Sequence, residues 1–242
     1  MHRLLACAEA LDGDCPRLSV DAIAHMKVLR LRDGEEVELF DGAGRWRRYA
    51  VSNAACLRLS PISPVESAER PAPLVLLACV TKGSRWDWTV EKATELGVTR
   101  IVPVISARTI VRIDAKERES KRMRWERVAS DAARQSDAKW LPEVVAPVSF
   151  EESLSVVLET ACLVGALTNP PPRPIADVVR ELPAGRVPAV YVGPEGDFTP
   201  EELSRLVEIA TPVSFGSTIL RAETAAIYGV SVLKAAIDSC TR

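Results

Sequence analysis

The chain has 242 residues, 47% of them hydrophobic and 26% charged, with a formal net charge of −2, so it holds one large domain or two small ones. No apolar run reaches membrane-spanning length, the charge balance argues against simple non-specific nucleic-acid binding, and six cysteines without a CxxC pair beside two histidines argue against a metal site. The N-terminus, MHRLLACAEALDGD, turns acidic too soon for a signal peptide. Several cysteines lie inside apolar runs, so buried free thiols in a reducing cytoplasm are expected.

Residues 1–62 lack long helical periodicity. Residues 23–31 predict a short helix and 35–40 alternate as a strand does. Asp41-Gly42-Ala43-Gly44 reads as a hairpin turn, and 46–52 and 55–59 as further strands. A small β-barrel of this kind suits RNA binding but does not by itself imply it. The proline-rich stretch 61–73 reads as a linker, dividing the chain into a β-rich domain, 1–68, and an α/β domain, 69–242.

From residue 74 strands and helices alternate. The continuous apolar run 74–80 predicts a strand buried on both faces. It is followed by a helix over 86–96 stopped by Gly97, a strand over 101–105, a long basic helix over 114–135 and a short strand over 144–147. Ser149 and Glu152 form a capping box for a helix over 151–159. A strand over 161–167, a short helix over 175–182 and a last helix over 222–237 complete a mostly parallel sheet covered on both faces. Charge is unevenly spread: residues 82–139 carry 14 Lys+Arg against 9 Asp+Glu, whereas 143–242 carry 7 against 13.

Two glycine-bearing turns near the C-terminus each follow a short apolar run, 189–192 and 212–215, and each leads into a helix. The first is Gly193-Pro194-Glu195-Gly196; Thr199, Pro200 and Glu202 then mark a firmly capped helix start. The second is Gly216-Ser217-Thr218, followed by Leu220-Arg221-Ala222-Glu223. Consecutive strand–turn–helix units build ligand crevices at the carboxyl ends of parallel strands. The sequence has no GxxxxGK[ST], no GxGxxG after a strand and no GxSxG, and both histidines lie in the N-terminal domain. What remains is a pocket of backbone groups and aliphatic side chains with Glu195, Arg221 and Glu223, suited to a flat polar heterocycle.

The segments VGPEGDFTPEE (192–202) and FGSTILRAETA (215–225) resemble the signature pair of the RsmE family, ribosomal RNA (uracil-N3)-methyltransferases of the SPOUT superfamily. The resemblance extends to Met1-His2-Arg3, the HMKVLR stretch ending at Arg30, Lys82, the EKATELG stretch ending at Gly97, Arg108, Arg127 and Gln135-Ser136. The chain departs from the family pattern at Asp137-Ala138, where a glycine and then an arginine are usual (Lys139 follows one place later), and at Asp197, where a second glycine is common.

The resemblance implies a trefoil-knotted α/β methyltransferase domain behind a PUA-like β-barrel, S-adenosylmethionine as methyl donor, a homodimer, and 16S rRNA in the small (30S) subunit as substrate. It places the cofactor at Leu167, Val192, Gly193, Pro194, Glu195, Gly196, Phe215, Gly216, Ser217, Ile219 and Leu220. Methylating N3 of uracil requires removal of a proton and stabilisation of charge on O2 and O4; Arg221 is the expected stabiliser, with Glu195 or Glu223 as proton acceptor. Arg3, Arg30, Lys82, Arg108, Arg112, Arg122, Arg124, Arg127 and Arg134 are expected to hold RNA phosphates. The alternatives are a ribose 2′-O-methyltransferase on a similar scaffold and a non-catalytic RNA-binding assembly factor.

Overall fold

The structure is a computed structural model that describes residues 1–16 and 18–240. The chain divides into two compact units, Met1–Pro71 with Ser130–Leu141, and Ala72–Ala129 with the residues from Pro142 onward.

The first unit contains β1 (His2–Leu5), α1 (Ala8–Asp12), α2 (Val20–Leu29), β2 (Glu36–Phe40), β3 (Arg45–Asn53), β4 (Arg58–Pro61) and β5 (Glu66–Ser67). The sheet runs β1-β2-β3-β4, with β5 also on β3; β1 lies parallel to β2 and the other pairs are antiparallel. Leu4, Leu11, Met26, Val37, Leu39 and Tyr49 are fully buried in its core, and the Tyr49 hydroxyl donates to the Ala10 carbonyl at 3.1 Å. Of residues 55–59, expected as a strand, 55–57 instead belong to a turn in which Leu57 takes φ 53°, and β4 starts only at Arg58. A left-handed residue breaks the pleat that a strand needs. The segment ending at Leu141 belongs to this unit through the hairpin glycines: the Leu141 N–H donates to the Gly42 carbonyl at 2.8 Å. A Cβ on Gly44, at φ 96°, would lie 2.5 Å from the Trp140 ring, so only glycine admits that indole.

The second unit contains β6 (Val75–Cys79), α3 (Ser84–Glu95), β7 (Arg100–Ile105), the first two-thirds of α4 (Arg118–Ser136), β8 (Glu143–Val144), β9 (Val148–Ser149), α5 (Phe150–Glu159), β10 (Thr160–Gly165), α6 (Ile175–Val178) running into a 3₁₀ turn (Val179–Glu181), β11 (Val187–Val192), α7 (Pro200–Ile209), β12 (Thr211–Val213) and α8 (Ala222–Cys240). Helix α4 begins at Arg118, not residue 114, because the Glu117 carboxylate caps the Asp114 N–H at 3.1 Å and closes a separate turn.

All pairs in the seven-stranded sheet are parallel, in the order β12-β10-β11-β6-β7-β8, with β9 continuing the β8 edge along β7. Alternate residues of each strand point to opposite faces, and both faces are covered. On one, Leu76, Ala78, Val190 and Val192 meet Trp86 and Val90 of α3, Trp125 of α4 and Ala226, Val230 and Leu233 of α8. On the other, Leu77, Val104, Val164 and Tyr191 meet Phe150 and Val157 of α5 and Leu206 of α7. Strand β11 thus inserts between β6 and β10, and after β12 the chain returns to lay α8 against β11 and α3.

Both predicted capping boxes are present. The Ser149 hydroxyl accepts from the Glu152 N–H and Glu152 from the Ser149 N–H; Thr199 and Glu202 do the same, with Pro200 in the first turn. Among the described residues no helix is long and apolar enough to cross a membrane, and no cluster of three or more His, Cys, Asp or Glu is arranged to hold a metal. Of the cysteines, Cys79 and Cys162 are buried in central strands, whereas Cys7, Cys15, Cys56 and Cys240 are exposed because they lie in turns or at a helix end. Burial pushes both buried thiols up to about 12.

Candidate active site

A pocket of about 290 Å³ opens where β10, β11 and β12 end, at Gly165, Val192 and Val213. That is the lower end of the range usual for small-ligand sites, roughly 300–1,000 Å³. The loops after these three strands wall it: Ala166 and Leu167; Gly193, Pro194, Glu195 and Asp197; and Ser214 through Arg221 except Ser217, with Ala222 and Ala225 of α8 behind.

The first loop is tightly built. The Asp197 N–H donates to the Pro194 carbonyl at 2.9 Å, closing a turn, and the Asp197 carboxylate accepts the Phe198 N–H at 2.8 Å. Phe198 then drops into the core, edge-on to Tyr191 with ring centroids 5.1 Å apart. Burial raises the Tyr191 phenol well above its ordinary value, so it stays protonated and shares a 2.9 Å hydrogen bond with the Ser153 hydroxyl. The Glu195 carboxylate lies 3.3 Å from Arg85 at the start of α3.

The second loop is held by less. The Ser214 backbone pairs with Arg173 and Ile175, and its hydroxyl accepts the Gly216 N–H at 3.2 Å. Gly216 takes φ 124°, which L side chains rarely adopt. Phe215 anchors the loop by folding its ring over Gly165, where a Cβ would come within 2.4 Å of it. Beyond Phe215, Gly216 through Ile219 are exposed.

The expected site residues fall into groups. Leu167, Val192, Gly193, Pro194, Glu195, Phe215, Gly216, Ile219 and Leu220 line the pocket, as does Arg221. Gly196 and Ser217 do not: Gly196 lies against the Arg108 side chain on the back of its turn, and Ser217 is an exposed residue of the second loop outside the wall. Glu223 is also absent from the wall; it is 9% exposed in the first turn of α8, and its Oε2 has no hydrogen-bond partner. Arg221 is exposed and, among the described residues, makes no ion pair with Glu195, Glu223 or any other carboxylate. Gly165, Ala166, Asp197, Val213, Ser214, Thr218, Ala222 and Ala225 line the pocket without having been expected as site residues. For Gly165, Ala166, Val213 and Ser214 the available signal was position at the end of a predicted strand.

The cations expected to meet RNA divide by what already holds them. Arg122 is paired with Glu119 and Glu126, Arg124 with Asp87, and Arg134 with Asp131. Arg3 lies 2.8 Å from Asp137 and 3.5 Å from buried Glu38, which also receives Lys139. Arg108 donates to the carbonyls of Gly196 and Phe198. Arg30, Lys82, Arg112 and Arg127 are exposed and, among the described residues, carry no ion pair; the same holds for Lys116.

The family model described as RNA methyltransferase domain matches residues 68–234, and that described as RNA methyltransferase PUA domain matches residues 18–55. A ribosomal RNA small subunit methyltransferase E from Synechocystis is 34% identical, the match covering 98% of this chain and 78% of that protein. The chain belongs to the ribosomal RNA small subunit methyltransferase E family. The Bacillus subtilis member is 28% identical over 91% of this chain and 90% of its own. Among solved structures, the Neisseria gonorrhoeae member, bound to S-adenosylmethionine, superposes with a TM-score of 0.79 at 27% identity over 97% of each chain. A Legionella pneumophila methyltransferase, likewise solved with that cofactor, gives 0.86 at 29% identity over 98% of each chain. The expected PUA-like domain ahead of an α/β methyltransferase domain, and the activity of an RNA methyltransferase, are thereby borne out.

The two departures noted in the sequence both fall at left-handed backbone positions. Asp137 and Asp197 both take positive φ, 63° and 58°. Aspartate is among the few residues besides glycine that enter this region readily. At the first site Lys139 bonds Asp137 at 2.6 Å and sits 4.8 Å over the Trp46 ring, so it is anchored within its own unit.

Proposed function

We propose that this chain transfers a methyl group from S-adenosylmethionine to N3 of one uridine in 16S ribosomal RNA, acting on the assembled small subunit as a cytoplasmic homodimer. The observation that carries the reading is the convergence of two glycine loops on a backbone-lined pocket whose rim holds an arginine with no ion-pair partner among the described residues.

The lining fits the cofactor. Peptide groups of residues 193–195 and 214–220 can hydrogen-bond the edge of a purine, and Val192, Leu220 and Ala225 offer apolar surface to its faces. Leu167 and Ile219, 64% and 81% exposed beside the pocket, are apolar walls that a partner subunit would cover. The knotted closure belongs to the same reading; the insertion of β11 between β6 and β10 and the return of α8 support it.

S-adenosylmethionine supplies the electrophilic methyl when bound. The protein must orient N3, take up its proton and stabilise the charge left on O2 and O4. Arg221 donates to one of those oxygens, which is worth most in a water-poor pocket. Glu195, the expected carboxylate that lines the pocket, accepts the proton, with Arg85 fixing its position. Glu223 stands behind the wall and does not touch the uracil. Phosphates of the RNA fall to the uncommitted cations Arg30, Lys82, Arg112, Lys116 and Arg127, because Arg122, Arg124 and Arg134 would have to leave carboxylates first. Lys116→Glu/Arg127→Glu therefore raises the KM for small-subunit particles severalfold, and Arg124→Ala leaves it within twofold.

The test is mass spectrometry of nucleosides from small-subunit particles incubated with the protein and isotope-labelled S-adenosylmethionine. Labelled 3-methyluridine is the expected product. A label on ribose would favour 2′-O transfer, and no label together with retained RNA binding would favour a non-catalytic assembly factor.

A further inference from the structure

The turn over residues 106–109, which follows β7, is built to hold another piece of chain. Its own shape is fixed internally: the Ser106 N–H donates to the Thr109 hydroxyl at 2.9 Å, and the two hydroxyls lie 3.0 Å apart. Two further residues of the turn, Ala107 and Arg108, reach the first pocket loop or the helix that follows. The Ala107 N–H donates to Glu202 Oε1 at 2.8 Å, tying the turn to the cap of α7. Arg108 Nη1 donates to the Gly196 carbonyl at 2.9 Å and to the Phe198 carbonyl at 3.2 Å. The Arg108 stem lies along Gly196, where a built Cβ would sit 3.7 Å from its Cβ and Cδ.

These contacts are on the back of the loop: Pro194, Glu195 and Asp197 face the pocket, and Gly196, which Arg108 grips, does not. A charged donor shared between two carbonyls two residues apart fixes the peptide groups between them more firmly than neutral bonds would. We infer that Arg108 is a positioning residue for the first cofactor loop, acting through the Gly196 and Phe198 carbonyls, and not a phosphate contact. Both bonds come from Nη1, so that nitrogen is committed to the loop. The inference rests on the reading of the pocket as the S-adenosylmethionine site.

The test compares full-length wild type with Arg108→Met, which keeps the stem and removes the charge, and Arg108→Lys, which restores charge but not the planar fork. Calorimetry gives the Kd for S-adenosylmethionine, and steady-state assays give KM for the cofactor and for small-subunit particles at several salt concentrations. Arg108→Met is expected to raise the cofactor Kd and KM at least tenfold while the particle KM and its salt dependence stay within twofold. Arg108→Lys should fall between, with an unliganded thermal midpoint like that of the wild type, which separates loss of positioning from loss of fold. An unchanged cofactor Kd in Arg108→Met overturns the inference. So does a raised particle KM with a shallower salt dependence, which would make Arg108 a phosphate contact. Absence of cofactor binding by the wild type itself would instead overturn the reading of the pocket.

Discussion

The two loops that wall the pocket have the same sequence origin, a glycine turn between a short strand and a helix, yet they are supported unequally. The loop of residues 193–198 is closed by its own turn, pinned by Phe198 in the core, tied through Glu195 to Arg85 and gripped from behind by Arg108. The loop of residues 214–220 is anchored at one end by Phe215 over Gly165 and by the Ser214 hydroxyl, and its tip is exposed. A ligand meeting one preformed wall and one that must settle onto it pays ordering entropy on one side only. The second loop also leads into Arg221, the proposed charge stabiliser, so its settling would bring that residue to the substrate.

The largest effect should come from the arginine between the second loop and α8. Arg221→Ala is expected to lower kcat by about 10²–10³ and to leave the calorimetric Kd for S-adenosylmethionine within threefold. A near-normal kcat would leave the loop a mere wall. Next is its anchor. Gly165→Val drives side-chain atoms into the place of the Phe215 ring, costing about 1–3 kcal/mol of stability and weakening the cofactor Kd tenfold or more. If the Kd is unchanged, the second loop does not depend on that anchor. A smaller change weakens the first loop's support: Thr199→Ala removes half of the α7 capping box and should cost about 1 kcal/mol in urea unfolding, with little change in Kd because Arg108 and Phe198 remain.

The smallest effect is on a thiol beneath the 106–109 turn. The protonated form of Cys79 is favoured by burial, its pKa pushed up to about 12, with the Ser106 and Thr109 hydroxyls close by. A raised folded-state value means that this contribution to stability is complete below the unfolded thiol pKa, about 8.5, and fades as pH rises from there toward 12. At pH 8 a thiol reagent should therefore label Cys7, Cys15, Cys56 and Cys240 and spare Cys79 and Cys162. Fast native labelling of Cys79 would mean that the first loop's support opens as readily as the second loop.

The legible parts of this chain were those fixed by neighbours in sequence. The boxes Ser149/Glu152 and Thr199/Glu202 span one helical turn, and the buried run of β6 announces itself in consecutive apolar residues. Short elements escaped: β1, α1 and β5 hold too few residues to show a period, and the single strand expected over 144–147 is replaced by the two-residue β8 and β9 on either side of 145–147. Leu57 hides its left-handed backbone, since leucine carries no signal for it. Most of the pocket could be placed from the two glycine turns and the ends of the strands. Which charges were spoken for could not, because Arg108 meets its loop across 88 residues of sequence and Arg124 meets Asp87 across 37.

Amide hydrogen exchange with and without S-adenosylmethionine addresses the pocket and the inequality of its walls together. The expected result is strong new protection over residues 214–221, little change over 193–198, which is already protected without ligand, and none over residues 1–71. Equal gains in both loops would contradict the preformed wall, and gains confined to residues outside both loops would contradict the site itself.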